Sequence, residues 1–518
     1  MRPESLSKFV FPLGVSIAII LLVFACNKEI HTYAVFDDYV YSGVDINGGA
    51  WKSILVNDIN EININHQYDQ LTPEYQSSVE ELIQKLENRT FAQDRSLKFW
   101  TNNPVVRWNE IALELAAKYN LIPPPNPDGT YTLPSAANPT GPPRFPFAHP
   151  PYTSRMLAHL SVAQFDGLIT AWHFKYKYNI QGHHHINSRV EPVYTDNSLP
   201  PFPSDGAVIA EVSRRILKAF FPLEHGYLDS VYFDHLEVLA NCGLFVSNDI
   251  DAGIQIGEQI SAMVMQRAAS DGMGQAQSPR IISDSIRDAA QTRFGWHWVN
   301  MESPVRPVGL VPSYGKVRMW SVPVVTLVRS VPPPAPGSAE FNRDADELKN
   351  IAKNLSNTQR KIANWWEDGL GSYTPPGHWN RLAKEFCLKY KLNPLRTARV
   401  FAYMNMAIQD AGIACWDTKY FYHYPRPIQT IPGFKTILGT PNFPAYTSGH
   451  STFSAAGAEV LAYIFPQEAS YCRDWAEEAA ISRVYGGIHY RFDAEAGIEQ
   501  GRKVAEYTIN IASVDGAD

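Results

Sequence analysis

Residues 399–422 read RVFAYMNMAIQDAGIACWDTKYFY, and residues 155–178 read RMLAHLSVAQFDGLITAWHFKYKY. Arg155, Ala158, Asp166, Ile169, Trp172, Lys175, Tyr176 and Tyr178 return as Arg399, Ala402, Asp410, Ile413, Trp416, Lys419, Tyr420 and Tyr422, each 244 positions later. The offset continues without a gap. Ser204 falls on Ser448, Phe221-Pro222 on Phe465-Pro466, Asp249 on Asp493, and Ala252-Gly253-Ile254 on Ala496-Gly497-Ile498. One offset held over about a hundred residues is the mark of an internal repeat. Upstream, Arg107-Trp108-Asn109 pairs with His378-Trp379-Asn380 at another offset, the difference lying in a Pro-rich insertion over 122–151. Apolar periodicity predicts helices over 78–86, 108–119, 207–220, 254–265, 349–366, 381–390 and 451–465, with Pro-rich stretches between them. The expected fold class is therefore all-α: two related helical bundles produced by duplication. The β-branched stretch 305–331 reads as a hairpin or an extended loop.

Only the second copy carries a set of groups suited to gripping an anion. In order, these are Lys419-x6-Arg426-Pro427, Ser448-Gly449-His450, and Ser482-Arg483-x3-Gly487-x-His489-x3-Asp493. An arginine fork binds two oxygens of a tetrahedral oxyanion at once, and lysine adds a compact charge. Ser448 precedes a small-residue apolar run, so it reads as a helix cap whose free amides favour an anion. His450 is then placed as general acid or base. His489 and Asp493 are four apart, so on a helix they share a face, and the carboxylate can orient the imidazole. Each segment alone is compatible with an ordinary cap or surface pair. Together, so many cationic and proton-active groups in an apolar neighbourhood repel one another unless an anion joins them. Across the 244 offset Arg426 falls on Gly182, His450 on Gly206, Arg483 on Leu239 and His489 on Phe245. The first copy has lost its kit, which puts the active site in the C-terminal bundle.

These three segments resemble the signature of the vanadium-dependent haloperoxidase and type 2 phosphatidic-acid phosphatase superfamily. Trp365-Trp366-x-Asp368-Gly369, Thr374-Pro375-Pro376-Gly377-His378-Trp379 and 410–420 are similar to bacterial haloperoxidase-like members. The resemblance implies that Lys419, Arg426, Ser448, Gly449 and Arg483 hold the oxygens of vanadate. It further implies that His489 binds the vanadium, that Asp493 supports His489, and that His450 is the acid/base. Trp416 and Phe443 match positions that flank the halide in chloroperoxidase-like members. The expected reaction is oxidation of halide by hydrogen peroxide to a hypohalous-acid-type halogenating agent. Vanadate and phosphate are near-isosteric, so the alternative is an acid phosphatase acting on phosphomonoesters through a phosphohistidine at His489. A third reading, a non-catalytic anion-binding lipoprotein, fits poorly with a complete motif. Thr447 stands where many members have proline, a change that removes no ligand.

The chain's 518 residues, 45% apolar, can bury a large core, and a net charge of −7 argues against nucleic acid as a partner. Arg2 and Lys8 precede an apolar stretch that ends at Val23-Phe24-Ala25-Cys26, resembling a bacterial lipoprotein signal with Cys26 as the lipidated residue. An extracytoplasmic body anchored to a membrane through lipid is expected. The domain reading is 1–26 signal and lipidation cysteine, 27–106 tether and packing arm, and 107–300 degenerate bundle. A connecting segment, 301–348, then leads to the catalytic bundle, 349–518. Cys242, Cys387, Cys415 and Cys472 lack metal-ligand spacing and read as core thiols. His183-His184-His185 reads as a polar loop, and His378 as a cap or packing residue.

Overall fold

The computed structural model describes residues 39–65, 71–121, 149–193, 199–301 and 308–517. The signal-like segment with Cys26 and residues 122–148 of the Pro-rich insertion lie outside them. Among the described residues the architecture is all-α, with helices, 3-10 turns and no strand.

Two 29-residue helices form the hub, α2 (Pro150–Tyr178) and α7 (Pro394–Tyr422). Each opens on proline, whose fixed φ suits a first helical turn. Each ends at a residue in the left-handed region, Asn179 at φ +47° and His423 at φ +51°. Both helices are buried on nearly every face, and they pack against each other. At their contact Asn405 Nδ2 donates to Ser161 Oγ at 2.9 Å, a pair 244 positions apart. Nearby, α1 (Pro104–Tyr119) approaches α6 (Thr374–Lys389), where Asn109 Nδ2 donates to Asn380 Oδ1 at 2.9 Å.

Three helices follow α2, with α3 (Asp205–Phe220) and α5 (Ser247–Ser270) packed on it and α4 (His225–Asn241) packed on α3. Three likewise follow α7, with α8 (Gly449–Ile464) and α10 (Arg491–Ala512) packed on it and α9 (Ala469–Tyr485) packed on α8. Each of the second three starts 244 residues after its counterpart. Asp166 Oδ1 and Oδ2 each accept a backbone N–H at 2.7 Å, from Ile54 and Leu55. Asp410, 244 residues on, accepts the backbone N–H groups of Trp320 and Ser321 at 2.7 and 2.8 Å. Each hub helix thus pins an irregular strap across itself with one buried carboxylate. Those bonds answer the reading of 305–331. Its described part, 308–331, is the extended-loop alternative rather than a hairpin, because Asp410 takes N–H groups that a partner strand would have taken.

Two further differences have local causes. The single helix expected over 349–366 is two, Ala339–Asn354 and Asn357–Trp365. Ser356 starts the second with a reciprocal cap, its hydroxyl accepting from Gln359 N while Gln359 Oε1 accepts from Ser356 N. His183 to Ile186 forms one short helical turn instead of a loop, and His183 is buried. The four described cysteines are buried free thiols.

Close approach of α8 and α10 sets the floor of the C-terminal region. A Cβ placed on Gly501 would lie 2.4 Å from Thr452 O and 2.7 Å from Ala455 Cβ, so only glycine allows this spacing. We expect Gly501→Ala to destabilise the protein by about 1–3 kcal/mol through overpacking, read as a lower denaturant midpoint with an unchanged slope. An unaltered midpoint would mean the helices can part without cost.

Candidate active site

The three charged segments converge at the end of the C-terminal helices. Lys419 sits in the last turn of α7, and Arg426 caps the short helix Pro427–Thr430. Ser448 is the N-cap of α8, Arg483 lies in the last turn of α9, and His489 stands just before α10. Lys419, Arg426, Ser448, Arg483, His489 and Asp493 are all buried. Beside them opens a cavity of about 400 Å³ lined by Gly449, His450, Arg483, His489, Trp416 and Phe443 among others.

His489 and Asp493 do meet, with Nδ1 2.9 Å from Oδ2, but not as a helix-face pair. His489 lies outside the helix. Asp493 is at its third position and also accepts the N–H of Tyr490 at 3.1 Å, so one carboxylate caps α10 and orients the ring. Arg426 Nη1 is 3.0 Å from His489 Nε2. Guanidinium can only donate, so Nε2 presents its lone pair and Nδ1 carries the proton given to Asp493. Arg426 also donates to the carbonyls of Ile488 and Phe443. Lys419 gives its three protons to the carbonyls of Pro444, Ala445 and Thr447, at 2.9, 2.8 and 2.5 Å. It stands behind the cavity, its position fixed by these three bonds. Arg483 donates to Ala363 O and Ser482 Oγ, both at 2.8 Å.

Burial dominates the electrostatics. It pushes the Lys419 ammonium down to about 7 and the Arg426 and Arg483 guanidiniums to about 10. It drives Asp493 up to about 7. Burial, then the charge of Arg483, holds His450 well below the ordinary histidine range. His489 is held there by burial, then by Arg426 and Lys419. Cations disfavoured in this way gain from an anion among them.

Three observations test whether the residues fit a tetrahedral oxyanion. His450 Nε2 and Asp493 Oδ1 are buried without a hydrogen-bond partner. Gly449 stands beside the aromatic wall, where a Cβ would lie in ordinary contact 3.8 Å from Trp416 and 3.9 Å from Phe453. The donor set is cationic, with Lys419, Arg426 and Arg483 all buried around the same point. The residues fit.

Below about pH 7 Lys419 is charged in the folded protein, and above it the group is neutral. Oxyanion affinity is therefore expected to be full below about pH 7. As pH rises through that value it should weaken, by up to about tenfold per unit. Calorimetric titration with phosphate from pH 6 to 9 checks this, and an equal decline in Lys419→Met would assign it to another group.

Several participants had weak sequence signals. Asp368 and Glu367 line the cavity, and their charges favour the cationic form of Arg483. Asp368 also lies 3.2 Å from His378 Nδ1, while His378 stacks on Trp366, a packing role. Thr447 Oγ1 donates to Gln500 Oε1 at 2.6 Å, and Gln500 Nε2 donates in turn to Thr418 Oγ1. Position 447 thus braces the segment whose carbonyls hold Lys419.

The residues 244 positions earlier enclose far less space. Lys175 Nζ lies 3.1 Å from Asp205 Oδ1, and Asp205 occupies the position of Gly449. Asp249, the counterpart of Asp493, is paired instead with His183 Nε2 at 2.8 Å. The cavity there is about 50 Å³.

Residues 399–513 match the family model described as the PAP2 superfamily. A vanadium chloroperoxidase of Curvularia inaequalis is 26% identical, over 28% of this chain and 31% of its own length. The chain therefore spans less than a third of that curated relative. A bacterial vanadium-dependent iodoperoxidase superposes with a TM-score of 0.56 at 25% identity, covering 70% of this chain and 91% of its own. An apo-type bacterial vanadium-dependent chloroperoxidase shares the fold, with a TM-score of 0.50 at 14% identity over 71% of this chain and 94% of its own. The chain is homologous to the vanadium haloperoxidases and the PAP2 superfamily, and its fold is the all-α haloperoxidase fold.

Proposed function

We propose that the protein is a vanadate-dependent haloperoxidase whose one working site lies in the second of two duplicated bundles. The observation that carries this reading is the buried cluster of Lys419, Arg426, Arg483 and His489 beside an open cavity, when its counterpart is filled by Asp205. The first half answers its remaining lysine with its own carboxylate, an internal stand-in for the anion. When bound, vanadate supplies a Lewis-acid centre that activates hydrogen peroxide toward two-electron oxidation of a halide.

The chain's residues have distinct tasks. Arg426, Arg483, Ser448 and the Gly449 amide hold oxyanion oxygens. Lys419 contributes positive field from behind. His489 offers the Nε2 lone pair that Asp493 and Arg426 orient. His450, neutral and with Nε2 unpartnered, takes a proton from peroxide and returns one to the departing oxygen. Trp416 and Phe443, ring centroids 4.9 Å apart, form a dry wall beside this centre where a halide meets little competing water.

The runner-up is a phosphatase, favoured by the same His489 Nε2 lone pair, which Arg426 orients. In that case Nε2 attacks phosphorus and His450 protonates the leaving alcohol of a phosphomonoester. Titrating the protein with orthovanadate while following peroxide-dependent halogenation of a dione with iodide, bromide and chloride tests the proposal. Aryl-phosphate hydrolysis is followed in parallel. Vanadate-dependent halogenation is expected. Phosphate release that vanadate inhibits, with no halogenation, would establish the phosphatase.

The membrane anchor is proposed from sequence alone: Cys26 carries lipid and holds the body on the extracytoplasmic side. Cys26→Ser is expected to move the protein from the membrane fraction to the soluble one. An unchanged distribution would refute lipidation at that residue.

A further inference from the structure

Most of the sulfur in this chain is out of reach of solvent. The four described cysteines are buried free thiols. Met156, Met273, Met319, Met404 and Met406 are buried too, and Met263 and Met265 are half-buried on α5. Met301 differs in two ways. It is 46% exposed, and it lines the cavity beside the oxyanion cluster. Among the described residues it is the one exposed methionine, and its thioether is the one sulfur in that lining.

Burial orders the cavity from end to end. Arg483 and His489 are buried, whereas Met301 and Leu370 are exposed, so the last two side chains stand at the mouth. A product formed at the oxyanion centre reaches solvent past them. Hypohalous acid is neutral and small, so neither charge nor size keeps it inside. Trp416, another electron-rich side chain of the lining, is buried and gives its indole N–H to Leu310 O at 3.1 Å. A thioether at the mouth is polarizable, accessible and readily oxidised to the sulfoxide.

We infer that Met301 is a self-oxidation site, whose thioether is converted to the sulfoxide by hypohalous acid as it leaves the cavity. The inference rests on the haloperoxidase reading, which supplies the oxidant from peroxide and halide. The electrons balance. The sulfur lone pair takes the halogen from hypohalous acid, and hydroxide departs. Water then adds to the halosulfonium sulfur, and halide leaves with the bonding pair. Of the two protons that this water gives up, one joins the hydroxide and the other is released. Sulfur loses two electrons, the halogen gains two, and the halide is regenerated. A flexible apolar chain at the mouth thereby becomes a polar one.

The test is peptide mass spectrometry on the vanadate-loaded full chain after turnover with peroxide and the halide it oxidises fastest. Excess dione is present as a scavenger in bulk solution. Met301 should gain one oxygen about tenfold faster than the half-buried Met263 and Met265. The same amount of hypohalous acid, added as reagent to the same dione mixture, should oxidise Met301 about tenfold less than turnover does, because the scavenger meets it first. Equal rates at the three methionines overturn the inference. So does Met301 oxidation no greater in turnover than with added reagent, or sulfoxide that forms as fast without halide. None of these comparisons needs a variant. A chain that halogenates no dione defeats the haloperoxidase reading and the inference with it, whereas normal halogenation with Met301 intact defeats the inference alone.

Discussion

His489→Ala is expected to abolish vanadate-dependent halogenation, by at least about a thousandfold, and to weaken oxyanion binding by about two orders of magnitude. The estimate follows from the loss of a directional ligand together with its charge-assisted partners. Asp493 holds His489 at 2.9 Å through Nδ1, and Arg426 stands 3.0 Å from Nε2, so the ring has one orientation to offer. No other described histidine makes these two contacts: His450 lies on α8 across the cavity, and its ring is not carboxylate-bound. The variant should still fold, because the cap that Asp493 makes on Tyr490 N is independent of the imidazole. Steady-state halogenation and vanadate calorimetry on the same preparation check both halves of the prediction. Activity within tenfold of the parent would mean that another group holds the anion.

Arg483→Met should separate stability from function. In the anion-free protein Arg483 is a buried guanidinium pushed down to about 10 by desolvation. Taking a guanidinium out of water costs several kcal/mol, and an apolar chain of similar length removes that cost, which offsets the contacts it gives up. The hydrogen bonds to Ala363 O and Ser482 Oγ are lost, and with them the attraction of Asp368 and Glu367. The melting temperature without anion should therefore stay level or rise. The parent, by contrast, should gain about 2.7 kcal/mol at an oxyanion concentration one hundred times its Kd, and the variant should gain almost none. Thermal scans with and without orthovanadate or phosphate read this directly. An equal anion-induced rise in both proteins would place Arg483 outside the site.

Much of this geometry was legible because it depends on spacing. The 244 offset is matched by helix starts at 150 and 394, 205 and 449, 225 and 469, and 247 and 491. Ser448 before an apolar run is indeed a helix cap. What spacing cannot convey is which backbone groups compete for a side chain. Lys419 spends its protons on three carbonyls of a loop 25 to 28 residues away, and no local pattern announces that. Gln500 and Asp368 likewise gain meaning only from neighbours distant in sequence. The break at Ser356 was recoverable from its capping box, since Ser-x-x-Gln is a start signal in its own right. The reverse holds for His489. Four-residue spacing suggests a helical face, whereas the pair is a capping carboxylate reaching back to the residue before the helix.

A single oxyanion site per chain, built on His489, is open to calorimetric titration with orthovanadate on the parent protein, His489→Ala and Lys175→Met. One site is expected in the parent, none within the same concentration range in His489→Ala, and one of unchanged affinity in Lys175→Met. Two sites in the parent, or binding that survives loss of His489 but not of Lys175, would contradict it.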